Sequence, residues 1–190
     1  MTFQEFIYVA VTNAMRGMPP ALQGSSNAEV IAQTLFPEVA QAVSENAAGN
    51  EYKRSLLRRE KTLTLVAGTA TLDDDVLTHY IADAVLIDPA ATSKRYAWRD
   101  YPDFVKRGDR RIGIFTLQGG DTFQVIDPSV GFAVPLTTAG ARTLFTPCVV
   151  VRPAAYTDDL DCPDEILSDL TEALSNALRG EMSKVAGEAA

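Results

Sequence analysis

Histidine occurs once in these 190 residues, at His79, cysteine twice, at Cys148 and Cys162, and tryptophan once, at Trp98. So little His and Cys leaves few ways to build nucleophilic or metal chemistry. The two thiols form no CxxC, which excludes a disulfide framework and a structural zinc site and fits a reducing interior. No stretch comes near the roughly 18 consecutive apolar residues of a membrane span, so no membrane partner is expected. The apolar start "MTFQEFIYVAVTNAM" has no basic leader, and its first charge is Glu5, which argues against a secretory signal. Bases are scarce at the front: from Met1 to Tyr52 there is only Arg16. Net charge is −8 and the isoelectric point about 4.6. Such a chain repels phosphate, which argues against a general grip on nucleic acid.

The charge is unevenly placed. Nine of the 17 bases fall in two clusters, Lys53, Arg54, Arg58, Arg59, Lys61 and Lys106, Arg107, Arg110, Arg111. Toward the end Asp158, Asp159, Asp161, Asp164, Glu165, Asp169 and Glu172 face only Arg179 and Lys184. Solvated faces with local ion pairs are one reading. The sharper reading is complementary patches that meet between subunits, with Arg58, Arg59, Arg110 and Arg111 facing Asp158 and Asp159.

Periodicity predicts helices first. Phe3, Phe6, Ile7, Ala10, Val11, Ala14 and Met15 share one helical face, ending at "RGMPP" (helix 3–16). "SNAE" offers Ser26 and Glu29 as a capping box for a second helical region over 27–60, ended or kinked at Pro37 and weakly broken at Gly49–Asn50. At Thr62 the period changes to two, opening a β region over 62–152. "TLTLV", "AGT" and "TATL" read as a hairpin. Val76 to Asp88 reads as strand, with Ala82 and Ala84 leaving helix open. "RYAW" resembles an edge strand and "YPDFVKRG" a short helix. "IGIFTLQGGDTFQVIDP" is a second hairpin turning at Gly119–Gly120, and "RTLFTPCVVVRPA" is another strand. A last helix over 163–179 buries Ile166, Leu167, Leu170, Ala173, Leu174, Ala177 and Leu178, closes at Gly180, and leaves 181–190 as a mobile tail. The expected fold is α+β: N-terminal helices, central antiparallel hairpins, a C-terminal helix and tail, in one domain over 1–180.

Candidate chemistry is thin. His79, alone in an apolar stretch, reads as a packed or hydrogen-bonded residue. Asp73, Asp74 and Asp75 could collect a hard cation, but they lack the EF-hand spacing and its closing glutamate, and a solvated turn is the plainer reading. "QGGD" joins two strands, whereas a phosphate cradle joins strand to helix. Tyr96, Trp98 and Tyr101 could form an aromatic shelf, though core packing suits them better. No catalytic, cofactor or metal residue is assigned, and no enzyme is expected. A metal-assisted hydrolase on Asp73, Asp74, Asp75 and His79, or a soluble ligand-binding domain, stand as alternatives.

Five segments form an ordered set: "LFPEVAQAV", "KRSLLRREKTLTLVAGTATLDDDVL", "DYPDFVKR", "IGIFTLQGGDTFQVIDP" and "DCPDEILSDLTEALSNALRG". Together, from Leu35 to Arg179, they resemble the head–tail adaptor (connector) proteins of tailed bacteriophages, with Asp73 standing where that family's pattern has proline. The resemblance implies a homo-oligomeric ring, usually a dodecamer. It would dock under the portal protein, carry passing double-stranded DNA without specific binding, and meet the next neck or tail protein. It implies assembly in the host cytoplasm and a place in the virion neck. It also implies that the final helix and tail reach the portal, through Ile166, Leu170, Leu174, Leu178, Met182 and Val185. A stopper or tail terminator is the neighbouring alternative.

Overall fold

Thr2 and Glu5 open the first helix. The Thr2 hydroxyl accepts from Glu5 N at 3.2 Å and the Glu5 carboxylate accepts from Thr2 N at 2.9 Å, a reciprocal cap that satisfies two free amides. Helix α1 (Phe3–Met15) follows, in a computed structural model that describes residues 1–16, 18, 27–88, 95–98, 113–119, 122–126 and 139–188. The fold is α+β, as the periodicity predicts, and it divides into two compact units. One joins Met1–Leu57 to Val149–Ala190; the other is Arg58–Cys148.

The first unit is helical. Helix α2 (Ala28–Ala48) buries Ala28, Ala32, Phe36, Ala40, Ser44 and Ala47, a stripe of mostly small residues near four-residue spacing. Small side chains let a neighbouring helix come close, and α2 packs against α1 and against the last helix, α4 (Asp164–Glu188). Pro37 neither ends α2 nor begins a new helix; α2 runs through it, because flanking burial of Phe36 and Ala40 offsets the lost hydrogen bond. The N-cap of α2 is Asn27, without a side-chain capping bond; Ser26 of the expected box lies outside the described residues. Helix α3 (Glu51–Leu56) is capped by Asn50, whose side chain accepts from Lys53 N at 3.1 Å.

Helix α4 is longer than expected. It continues through Gly180 to Glu188, so the segment read as a tail is helical up to that residue. Gly180 faces open space and imposes no turn, and Met182, 3% exposed, extends the buried face one turn beyond it. A helical glycine costs only about 1 kcal/mol relative to alanine, which this burial offsets.

The second unit is a seven-stranded sheet in the order β1-β7-β3-β4-β5-β6-β2. The strands are β1 (Arg58–Leu65), β2 (Thr69–Thr71), β3 (Val85–Ile87), β4 (Arg95–Trp98), β5 (Gly113–Gly119), β6 (Thr122–Ile126) and β7 (Gly140–Pro147). All pairings are antiparallel except β4 with β5. The two outermost strands, β1 and β2, are arms of one hairpin, closed by Val66 and Thr69 exchanging bonds of 2.8 and 3.0 Å. The sheet therefore returns to its own first edge around Leu63, Leu65, Leu72, Leu86, Tyr96, Phe123, Val125 and Leu144. Tyr96 is core, not shelf.

Two boundaries differ from the sequence reading. β1 starts at Arg58, inside the stretch read as helix to 60, because Arg58–Leu65 pairs residue by residue with Pro147–Gly140. Thr78–Asp83, read as strand with helix left open, is a 3₁₀ helix, and β3 follows it. Residues 19–26, 89–94 and 127–138, the helix expected at "YPDFVKRG" and Gly120, expected in the hairpin turn, lie outside the described residues.

Candidate docking surfaces

Five of the six apolar residues assigned to the portal are internal. Ile166, Leu170, Leu174 and Leu178 are fully buried, and Met182 nearly so, on the α4 face that packs against α1 and α2. Leucines that already seal their own core cannot also seat a partner while the unit stays folded. Val185 lies on α4, but its side chain is outside the described set. What α4 leaves outside is polar: Glu165, Ser168, Asp169, Glu172 and Asn176. Part of that face is already held by α3, through Lys53 on Asp169 and the Tyr52 hydroxyl donating to Glu165 Oε1 at 3.1 Å.

An open groove of about 470 Å³ follows α4 along Ser168, Thr171, Glu172 and Asn176 to Arg179. Its far end is structural. The Arg179 guanidinium donates to the Ala14 carbonyl at 3.1 Å and to the Asn13 carbonyl, covering the open end of α1, which has no base in its last turn. The Ser175 hydroxyl lies 3.0 Å from the Ala10 carbonyl beside it.

A second groove of about 350 Å³ lies between the start of α1 and the start of α2, lined by Gln4, Glu5, Tyr8, Val9, Glu29 and Tyr156. The 156–158 segment that walls it is fixed to the chain start. Phe3 N donates to the Asp158 carbonyl and Gln4 N to the Tyr156 carbonyl, both at 2.9 Å. The Tyr156 ring meets Phe3 edge-on at 5.8 Å. Burial, with the charge of Glu29, holds its phenol above the usual tyrosine range.

Of the residues expected between subunits, Arg58 is exposed on the outward face of β1, its guanidinium donating to the Asp83 carbonyl at 3.1 Å. Arg59 is half-buried and donates to the Arg58 carbonyl at 3.1 Å. Arg110 and Arg111 lie outside the described residues. Asp158 and Asp159 are exposed but engaged in their own unit: Asp158 accepts from Ala155 N at 3.0 Å, and Asp159 sits 3.7 Å from the N-terminal amine.

The second unit buries charge. Lys61 Nζ lies 2.6 Å from Asp75 and 3.4 Å from Asp73. Burial pulls the ammonium down, but the Asp75 bond and charge outweigh it, so the Lys61 pKa is raised. The Cys148 thiol beside them is pushed up to about 12, by burial and then by Asp75. The aspartates read as a possible cation cluster thus have a lysine ammonium among them, and no group of three or more His, Cys, Asp or Glu placed to hold a metal is found among the described residues. His79, expected to be packed, is exposed on the 3₁₀ helix. Sequence reasoning missed Arg142, buried on β7 with Asp88 at 3.2 Å. Its place opposite Leu63 on the inward face was legible only once β1 and β7 were paired. The Tyr8–Tyr156 groove was missed too; its walls are 148 positions apart.

Comparison with protein-family models gives no match, and a search of curated proteins gives none.

Proposed function

We propose that the chain is a head–tail adaptor of a tailed bacteriophage. It forms a ring beneath the portal, lengthens the DNA channel, and presents a face to the next neck or tail protein. In this reading its work is contact and it performs no reaction. One observation supports it above the others: the segments that carry the family resemblance, apart from "DYPDFVKR", lie on the helix, the two pairs of strands and the closing helix that the resemblance implies. "LFPEVAQAV" lies within α2, and "RREKTLTLVAGTAT" is the β1–β2 hairpin. "GIFTLQG" and "TFQVI" are the paired strands β5 and β6, and "CPDEIL" is the start of α4. "DYPDFVKR" lies outside the described residues.

The charge partition is consistent with this reading. The helical unit carries six bases against fourteen acids, a net charge of −8, while the β unit carries eleven of each. An acidic surface along a DNA path keeps the duplex from adhering. Because the apolar side of α4 is internal, the partner on that helix meets its polar outer face. Electron microscopy of the purified chain mixed with a phage portal tests the proposal. The expected image is a ring stacked coaxially on the portal. Separate portal rings and unassembled chain at both low and high salt would refute it.

A further inference from the structure

We infer that the groove between α1 and α2 is a socket for Arg58 of a second copy of this chain; this rests on the ring reading and names its subunit contact. The socket has a definite chemistry. Two tyrosines and Val9 form apolar walls, Glu5 and Glu29 stand with them, and no base lines it among the described residues. Tyr8 is 65% exposed, a large aromatic face open to a partner. Aromatic faces beside carboxylates suit a planar cation, because a guanidinium stacks on the ring and donates to the carboxylate at once. Rigid walls add to this: Glu5 is fixed by the Thr2 cap, and Tyr156 by Phe3 and by its carbonyl bond to Gln4. Arg152 does not fill the socket; it lies over the Phe3 ring at 5.4 Å with Gln33 Oε1 at 3.3 Å.

Charge complementarity names the occupant. The acid excess of the chain lies wholly in the helical unit, and eleven of its 17 bases lie in the β unit. Among the bases of that unit whose side chains are described, Lys61 is engaged by Asp73 and Asp75, Arg142 by Asp88, and Arg59 is half-buried. Arg58 is exposed, and its Nη2 bond to the Asp83 carbonyl leaves further guanidinium donors. Socket and plug are made of different residues, so in a ring the contact is head-to-tail and repeats at every boundary. One such contact covers far less than the roughly 1,000 Å² of a stable pair. Isolated dimers should therefore be weak and closed rings strong.

A charge swap tests this on the full-length chain, read by sedimentation at low salt, with circular dichroism confirming the fold of each variant. Arg58→Glu and Glu29→Arg alone should each weaken association at least tenfold, and the double variant should recover most of it. Tyr8→Ala should also weaken assembly, whereas Tyr8→Phe should retain it, and this pair decides the matter if Glu29→Arg does not fold. Rings that form equally well in wild type and in all variants would overturn the socket and leave the adaptor reading standing. So would two single variants that dissociate without recovery in the double, or variants that lose only portal binding. Wild-type chain that never assembles, with or without portal, would overturn both.

Discussion

The helical unit and the β unit treat buried polar groups differently. In the helical unit the buried Ser44 hydroxyl accepts from Val150 N at 3.0 Å, Ser175 reaches a carbonyl, and Arg179 covers the end of α1. Among the described residues of the β unit, three buried atoms lack a hydrogen-bond partner: Asp75 Oδ1, Arg142 Nε and Thr146 Oγ1. Such a group costs about 1–3 kcal/mol when left unmatched. The helical unit keeps its charge outside around a satisfied apolar core. The β unit is neutral overall yet encloses ions. The difference implies that the β unit has the smaller stability margin and that denaturant should open it first, in a transition separate from that of the helices.

Leu170→Ala gives the largest expected effect. The residue is fully buried in the helical core, so its loss should cost about 3–4 kcal/mol, lower only the later transition, and leave the earlier one within about 0.5 kcal/mol. Tryptophan fluorescence, from Trp98 in the β unit, and far-ultraviolet dichroism read the two transitions; a shift of both together would show one cooperative body. Next comes Asp88→Ala, which leaves Arg142 buried without its ion partner and should destabilise the earlier transition by about 3 kcal/mol. Replacing both, as Arg142→Met with Asp88→Leu, should restore most of that in the same urea titration, since a buried ion pair contributes little over an apolar one.

Alkaline pH sharpens the comparison further. Both Lys61 and Cys148 hold their protons more tightly folded than unfolded. Their contributions are fully present below their unfolded values and are lost as pH rises toward the folded ones. With the thiol pushed up to about 12, the β unit should lose about 2 kcal/mol between pH 9 and 10.5. Cys148→Ala should remove most of that slope; an unchanged slope would mean that the thiol is not buried as described. The smallest effect is at the β1–β2 turn, where Ala67 and Gly68 both have positive φ, 50° and 78°. Alanine is strained there, and Ala67→Gly should stabilise the unit by about 0.5 kcal/mol in a melting experiment.

Legibility in the sequence followed the same division. The helical unit announced itself through Phe3, Phe6, Ile7 and Ala10 and through the Ile166–Leu178 stripe, because a helix face is encoded within a few turns. The hairpins were readable where apolar residues alternate, as in Leu63 and Leu65. The start of β1 was not, since Arg58, Arg59, Glu60 and Lys61 carry no apolar period and only their pairing with Phe145, Thr146 and Pro147 makes them strand. Pro37 was read as a stop or a kink and Gly180 as a stop from local propensity, and the helices run on through both with buried residues on either side. The α1–α2 groove is assembled from three separated segments, which no window of sequence brings together.

Native mass spectrometry of the full-length chain, alone and with a portal, tests the central claim most directly. An adaptor should appear as one closed ring of defined size, twelve copies by the family resemblance, with dimers scarce and the ring yielding to monomer as salt rises. A monomer at every concentration and salt, unchanged by the portal, would contradict the account.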